Sequence, residues 1–325
     1  MTIKLIEAVL RVSALGLALL VAPAAFAQDY PSRPIRFVVP YTPGGGNDIV
    51  ARTVGQKLSE AWNTNVIVEN RPGGNAFIGT EYVARQPADG YTVLIGDSST
   101  HATSPHLFAK MPYDVTRDFA PVTALTYTAV VLIVNPSEPY QNVRQIVDAA
   151  KSKTVNYATF GHGSTAHLFG ELLTYATKAR FEHVAYKGSA PALNDVMGGQ
   201  VPAAFLSIAG AKAQIAAGRV RALAVTGPAR WRALPEVPTF GEAGFPGFEV
   251  VGWIAAFVPA GTNRAIINKL AAEMTQIVRS PDVAKRLIEF GTDPAGGSPD
   301  EFAATWKRGL DTFGEIVRNA KIKPE

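Results

Sequence analysis

Short apolar runs alternate with helix-period patterns over most of this chain. The runs Ile35 to Val39, Asn65 to Glu69, Thr92 to Gly96, Ala129 to Val134, Val155 to Thr159, His183 to Lys187, Ala203 to Ser207 and Arg221 to Val225 have strand length, and most are continuously apolar. That is the signature of strands covered on both faces by helices. Between them, Val50, Val54 and Leu58 recur at four-residue spacing, and Ile146, Ala149 and Ala150 mark a further helix ahead of Lys151. The alternation predicts an α/β fold of the doubly wound type.

From Asn263 onward the pattern is almost wholly helical, with Ile266, Leu270, Met274 and Ile277 on one face. Ser298-Pro299-Asp300-Glu301 then reads as an N-cap, a first-turn proline and acids at the positive end of the helix dipole. Before these helices, Phe248 to Pro259 is a long apolar segment suited to a strand that crosses back between lobes. At 325 residues the chain exceeds what one core usually serves. The expected division is therefore residues 28–127 with 246–325 in lobe one and residues 128–245 in lobe two. Chain that leaves a lobe and returns to it makes a hinge.

The first 27 residues stand apart. Lys4 and Arg11 supply positive charge, Val12 to Val21 is a short apolar run interrupted by Ser13 and Gly16, and Ala25-Phe26-Ala27 has the small-x-small form of a cleavage site. This predicts a signal peptide cleaved after Ala27 and a periplasmic mature chain, since the run falls short of the roughly 20 residues that span a bilayer. Export changes which chemistry to expect, because nucleotide cofactors are scarce outside the cytoplasm. The chain contains no cysteine, which removes disulfides, thiolate metal sites and cysteine nucleophiles. Its net charge is only +4, carried by scattered basic pairs, so nothing tracks a nucleic-acid backbone.

In open α/β sheets ligands sit beyond the carboxyl ends of strands. Four such loops carry candidate chemistry. Pro43-Gly44-Gly45-Gly46-Asn47-Asp48 follows the first strand; its glycines admit close backbone approach and the next helix offers free amides to an anion. Asp48 either caps that helix or bonds a ligand amine. Gly96-Asp97-Ser98-Ser99-Thr100-His101 lines up three hydroxyls. It falls one glycine short of a nucleophile elbow, which keeps a secreted hydrolase using Ser98 and His101 as a remote alternative. Phe160-Gly161-His162-Gly163-Ser164 follows a third strand and formally matches a dinucleotide fingerprint, but the acidic residue expected after the next strand is missing. Tyr186-Lys187-Gly188-Ser189 and Ser207 complete the set. Among the five histidines, His101 with His106 and His162 with His167 are each five apart, which does not fit a zinc helix. The expectation is no metal and no cofactor.

Many ordered phrases resemble one family. They include Tyr30-Pro31-Ser32-Arg33-Pro34-Ile35, Pro43 to Asp48 with Ala51-Arg52, Val68-Glu69-Asn70-Arg71-Pro72-Gly73, Asp89-Gly90-Tyr91-Thr92 and Asp118-Phe119-Ala120-Pro121-Val122. Further along come His183-Val184-Ala185-Tyr186-Lys187-Gly188, Leu234-Pro235-Glu236-Val237-Pro238-Thr239 and Ser298-Pro299-Asp300-Glu301-Phe302. Together they are similar to the Bug family, the TctC-type periplasmic solute receptors of tripartite tricarboxylate transporters. The resemblance implies a two-lobed, type II binding protein that closes like a Venus flytrap, with a doubly wound sheet in each lobe. It implies no enzymatic activity, a small carboxylate solute, membrane permease subunits as partners and a monomeric receptor; a sensor co-receptor is the alternative use.

By position, ligand contacts are expected from Gly45, Gly46 and Asp48, from Ser98, Ser99 and Thr100, and from Gly161, Gly163 and Ser164, with Tyr186 and Ser207 as further candidates. Phe160 and His162 should shape the far end of the pocket. Asn47, the Thr159-Phe160 pair and His162 depart from the family's usual residues and so bear on which acid is bound.

Overall fold

The computed structural model describes residues 30–319, so the signal-peptide reading of residues 1–27 lies outside the described residues. The strands are β1 (Ile35–Val39), β2 (Val66–Asn70), β3 (Thr92–Asp97), β4 (Phe119–Thr128), β5 (Val130–Val134), β6 (Val155–Thr159), β7 (Phe181–Ala185), β8 (Ala203–Ser207), β9 (Arg221–Val225), β10 (Gly252–Pro259) and β11 (Asp293–Pro294). The helices are α1 (Gly46–Trp62), α2 (Phe77–Ala84), α3 (Ser104–Leu107), α4 (Val143–Ser152), α5 (Thr165–Thr177), α6 (Ser189–Met197), α7 (Ile208–Ala216), α8 (Arg264–Arg279), α9 (Pro281–Phe290) and α10 (Pro299–Asn319). A π-helical turn, Ser99–Thr103, leads into α3.

The strands form two sheets, a six-stranded one in the order β11-β4-β10-β3-β1-β2 and a five-stranded one in the order β7-β6-β8-β5-β9. Helices follow β1, β2, β3, β6, β7 and β8, which run parallel within their sheets. The sheets are mixed where doubly wound parallel ones were expected. β10 runs antiparallel to both β3 and β4, and β5 runs antiparallel to both β8 and β9. The cause is the double crossing. β4 carries the chain out of the first sheet, β5 receives it in the second, and β10 brings it back.

The register of these crossing strands fixes where everything else lies. Gly252, where β10 begins, pairs with Thr128, where β4 ends. Val130, where β5 begins, pairs with Ser207, where β8 ends. Only Ala129 separates β4 from β5, so the carboxyl ends of the parallel strands in both sheets are held against one crossover. The topology thus turns the helix-entry loops of one sheet toward those of the other.

Local chemistry explains the elements. β1 buries Ile35, Phe37, Val38 and Val39 completely, and α1 packs Val50, Ala51, Val54 and Leu58 against it. Helix α10 opens on a reciprocal capping box: the Ser298 amide donates to Glu301 Oε2 at 2.7 Å and the Glu301 amide to Ser298 Oγ at 3.2 Å. One continuous apolar cluster reaches from Leu94, Phe257 and Trp306 beneath the first sheet to Leu132, Tyr157 and Phe205 in the second. No helix among the described residues is long and apolar enough to cross a membrane.

Candidate functional site

The loop after β1 enters α1 through Gly45 and Gly46. The first helical hydrogen bond runs from the Ile49 amide to the Gly45 carbonyl at 3.0 Å, so the amides of Gly46, Asn47 and Asp48 open the helix ahead of it. Asp48 is 3% exposed, and its carboxylate accepts from the Gly44 amide at 2.9 Å, Arg52 Nε at 3.1 Å and Asn70 Nδ2 at 3.0 Å. Burial raises its pKa, but the bonds from Arg52, Gly44 and Asn70 outweigh that and hold it below the usual carboxylate range. Neither role expected for Asp48 is what the side chain does here: Gly45 takes the cap position with no side-chain cap bond, and Asp48 instead holds the loop through Gly44, Arg52 and Asn70. Asn47 donates to the Ile95 carbonyl at 3.1 Å and so ties the loop to β3.

The loop after β3 divides its hydroxyls. Ser98 is buried behind Gly252, where an added Cβ would come within 2.9 Å of Ser98 Oγ and 2.6 Å of Thr128 Oγ1. Ser99 points across: its Oγ accepts from the amide of Thr165, at the start of α5 in the other sheet, at 3.4 Å. Thr100 is turned inward, with its hydroxyl donating to the Asp97 carbonyl at 3.0 Å and lying 2.8 Å from His101 Nδ1. Its amide donates to Asp97 Oδ1 at 3.0 Å, so the side chain expected to meet a ligand serves the turn. Burial raises the Asp97 carboxyl, against opposing bonds from Thr100, Tyr41 and Asn47. Asp97 and Tyr41 thereby join the first two loops, a pairing that sequence reasoning missed. The His101 ring stacks flat on Phe257 at 4.1 Å and is wholly buried, which lowers its pKa to about 3. A hydrolase base would have to face Ser98; this one is spent on Thr100 and the core.

In the second sheet, Gly161 and Gly163 have φ of +155° and +73°. Ser164 caps α5 by accepting from the His167 amide at 3.2 Å while donating to the Gly161 carbonyl at 2.6 Å. The Phe108 ring, at the end of α3, packs over Gly163 and lies 6.2 Å from the His162 ring. Phe160 is half-buried against the adjoining core. Tyr186 is committed elsewhere, donating its hydroxyl to Asp195 at 2.6 Å, and its pKa is pushed up to about 12 by burial and by that carboxylate. Ser207 caps α7 by accepting from the Gly210 amide at 3.2 Å.

The structure therefore brings the second and third loops face to face at Ser99 and Thr165. The first loop joins through α9: Gly46 lies against Phe290, and Gly291 packs on Ile208 and Ala209 at the start of α7. Lys212 closes that side by donating to the Ile288 and Glu289 carbonyls at 3.3 and 2.8 Å. Three helix N-termini, those of α1, α5 and α7, border one region between the sheets. Such ends favour an anion without any cationic side chain.

One grouping escaped the sequence reading. Donor atoms of His162, His167 and His183 all lie within 4.8 Å of one another. The paired spacing of His162 and His167 gave no reason to expect a ligand set, and His183 joins because β7 runs beside β6, with Tyr157 opposite His183 in register.

Comparison with known proteins accords with this geometry. Residues 50–321 match the family described as "Tripartite tricarboxylate transporter family receptor". The UPF0065 protein in the tcbD-tcbE intergenic region of Pseudomonas sp. (strain P51) is 37% identical over 291 residues, covering 89% of this chain and 86% of that protein. The solved structure of R. palustris Rpa4515 with adipate superimposes with a TM-score of 0.87 at 34% identity, covering 91% of this chain and 100% of that one. MatC (Rpa3494) from Rhodopseudomonas palustris, with bound malate, gives 0.82 at 30% identity, covering 89% and 100%. The fold is the α/β periplasmic binding-protein fold with type II lobes, and the chain belongs to the tripartite tricarboxylate transporter receptor family, as a non-catalytic periplasmic binding protein.

Proposed function

We propose that this receptor holds a small dicarboxylate between its lobes and presents it to the membrane permease subunits of a tripartite tricarboxylate-type system, acting as a monomer. The observation that carries the reading is the Ser99–Thr165 contact, which sets the hydroxyl loop of one lobe against the helix N-terminus of the other. Adipate and malate, held by two structural relatives, are both dicarboxylates. The proposed contacts are main-chain amides around Gly45 and Gly46, the Ser98 and Ser99 hydroxyls, and the amides of Gly161, Gly163 and Ser164, which would exchange their long bonds to Thr159 Oγ1, His167 Nδ1 and the Gly161 carbonyl for the solute. Phe160 and His162 border the solute's far end.

The energetics allow a site without arginine. Hydrogen bonds to a charged group contribute about 1.5–3 kcal/mol each, and micromolar affinity needs about 8 kcal/mol net of association costs of roughly 4–15 kcal/mol. On that scale roughly six such bonds shared by two carboxylates would meet the requirement. Neutral donors also let the permease take the solute back out.

Among the described residues the proposed division puts 30–127 and 246–319 in lobe one and 128–245 in lobe two, the return boundary moving toward Gly252 because Phe248 stacks on Phe240 at 4.3 Å. Ala129 and the Val251–Gly252 link act as the paired hinge, and the exported chain starts after cleavage at Ala27.

Ligand-stripped protein should be screened by thermal shift against dicarboxylates, monocarboxylates and amino acids. At one hundred times Kd a true ligand adds about 2.7 kcal/mol, which raises the melting temperature by roughly 5 °C or more. At least one dicarboxylate is expected to do so and the monocarboxylates to do less. A panel in which no acid shifts the transition would refute the proposal.

A further inference from the structure

Three of the chain's five histidines converge from separate elements. His162 lies in the loop after β6, His167 in the first turn of α5 and His183 on β7. The other two are used elsewhere, His101 in the core and His106 with its Nε2 2.8 Å from the Leu310 carbonyl. The ring centres of His162 and His167 are 4.5 Å apart, and those of His167 and His183 are 4.0 Å apart and nearly parallel. We propose that His162, His167 and His183 form a binding site for one divalent transition-metal ion of the zinc, copper or nickel type.

The distances suit an ion that takes nitrogen ligands. With the three donor atoms within 4.8 Å of one another, a central ion lies at most about 2.8 Å from each, against zinc–nitrogen bonds of about 2.0–2.1 Å. Because imidazole lone pairs lie in the ring plane, ligation requires the His167–His183 stack to open, and His162 and His183, which are only half-buried, are the rings that would turn. The same partial exposure gives the ion a route from solvent and leaves room for a further ligand. Calcium and magnesium are disfavoured, since they require several oxygen ligands, whereas imidazoles suit zinc, copper and nickel.

The surroundings fit as well. His167 Nδ1 accepts a long bond from the Gly163 amide at 3.4 Å, and its Nε2 lies 3.9 Å from the Glu171 carboxylate. Glu171 is itself held by the Tyr157 hydroxyl at 2.7 Å, and its carboxylate lies beyond hydrogen-bond reach of His167, so ligation through Nδ1 would replace the long Gly163 bond. His183 Nε2 is 2.7 Å from the Thr159 hydroxyl. Because His162 belongs to the same loop as Gly161 and Gly163, a bound ion would brace that loop.

The test uses full-length exported protein purified without a histidine tag. Calorimetric titration with Zn2+ at pH 7 should give one ion per chain at micromolar or tighter affinity. His183→Gln should weaken this by about 100-fold or more, beyond the roughly tenfold to hundredfold cost of losing an outer-shell partner, while His106→Gln titrates like the wild type. Copper paramagnetic resonance of the wild type should show hyperfine coupling to imidazole nitrogens, and this readout stands even if a variant fails to fold. Absence of Zn2+ binding, a copper spectrum without nitrogen coupling, or a folded His183→Gln that binds as the wild type does would each overturn the assignment.

Discussion

Gly163→Val is expected to weaken dicarboxylate binding by at least about 100-fold, some 2.7 kcal/mol, while leaving a folded protein. Two independent costs fall on this position. Gly163 has φ of +73°, a conformation that a β-branched residue rarely tolerates. A Cβ there would also lie 2.6 Å from Phe108 Cε2 and 2.9 Å from its Cζ. Phe108 is in turn braced edge-on by Phe77 at 5.0 Å, so the loop has to yield rather than the ring. The loop that moves carries Gly161 and Ser164 and sets the start of α5, where the Thr165 amide reaches Ser99. Isothermal titration with the best acid from the thermal screen measures the loss. Unchanged affinity in a folded Gly163→Val protein would show that this loop does not touch the solute.

The second large effect concerns folding rather than binding. Gly170→Ala should destabilise the protein by about 3 kcal/mol, or roughly 6–12 °C in melting temperature, at the upper end of overpacking costs. Gly170 lies on the buried face of α5, and an added Cβ would come within 2.2 Å of the Tyr157 ring. That ring is completely buried, packed against Phe181, Phe205 and His183, and tied to Glu171. Helix propensity alone predicts the opposite sign, since alanine is favoured over glycine inside a helix by about 1 kcal/mol. Thermal denaturation of the variant therefore decides between the two: a rise in melting temperature would mean that Tyr157 is free to move aside.

How much of this was readable in advance follows from which interactions are local. β1, β6, β8 and β9 were found at their observed bounds, because buried strands write themselves as apolar runs closed by turn residues. β7 begins two residues earlier than read, at Phe181, and β4 was missed altogether. Its Pro121 argues against a strand, yet it sits where the pairing with β10 shifts at Phe257, a bulge that tolerates a residue without an amide hydrogen. The mixed character of both sheets was equally hidden, since strand direction depends on where the chain crosses between lobes.

The site shows the same division. The glycine loops and the caps at Ser164 and Ser298 act within a few residues, and the sequence displays them, whereas Ser207 was expected as a ligand contact and caps α7 instead. Whether Thr100 faces a ligand or Asp97 depends on the turn it enters, and the bonds of Asp48 to Arg52 and Asn70 match neither the cap nor the ligand contact expected of it. The histidine trio depends on β7 lying beside β6, a neighbour relation that no spacing along the chain encodes.

A crystal structure with the tightest-binding dicarboxylate tests the central claim most directly. The account predicts that carboxylate oxygens lie within hydrogen-bond distance of main-chain amides from both the Gly45–Asp48 and Gly161–Thr165 loops, with the acid chemically unchanged. A solute bound through one lobe alone, or gripped chiefly by lysine or arginine side chains away from those helix ends, would contradict it.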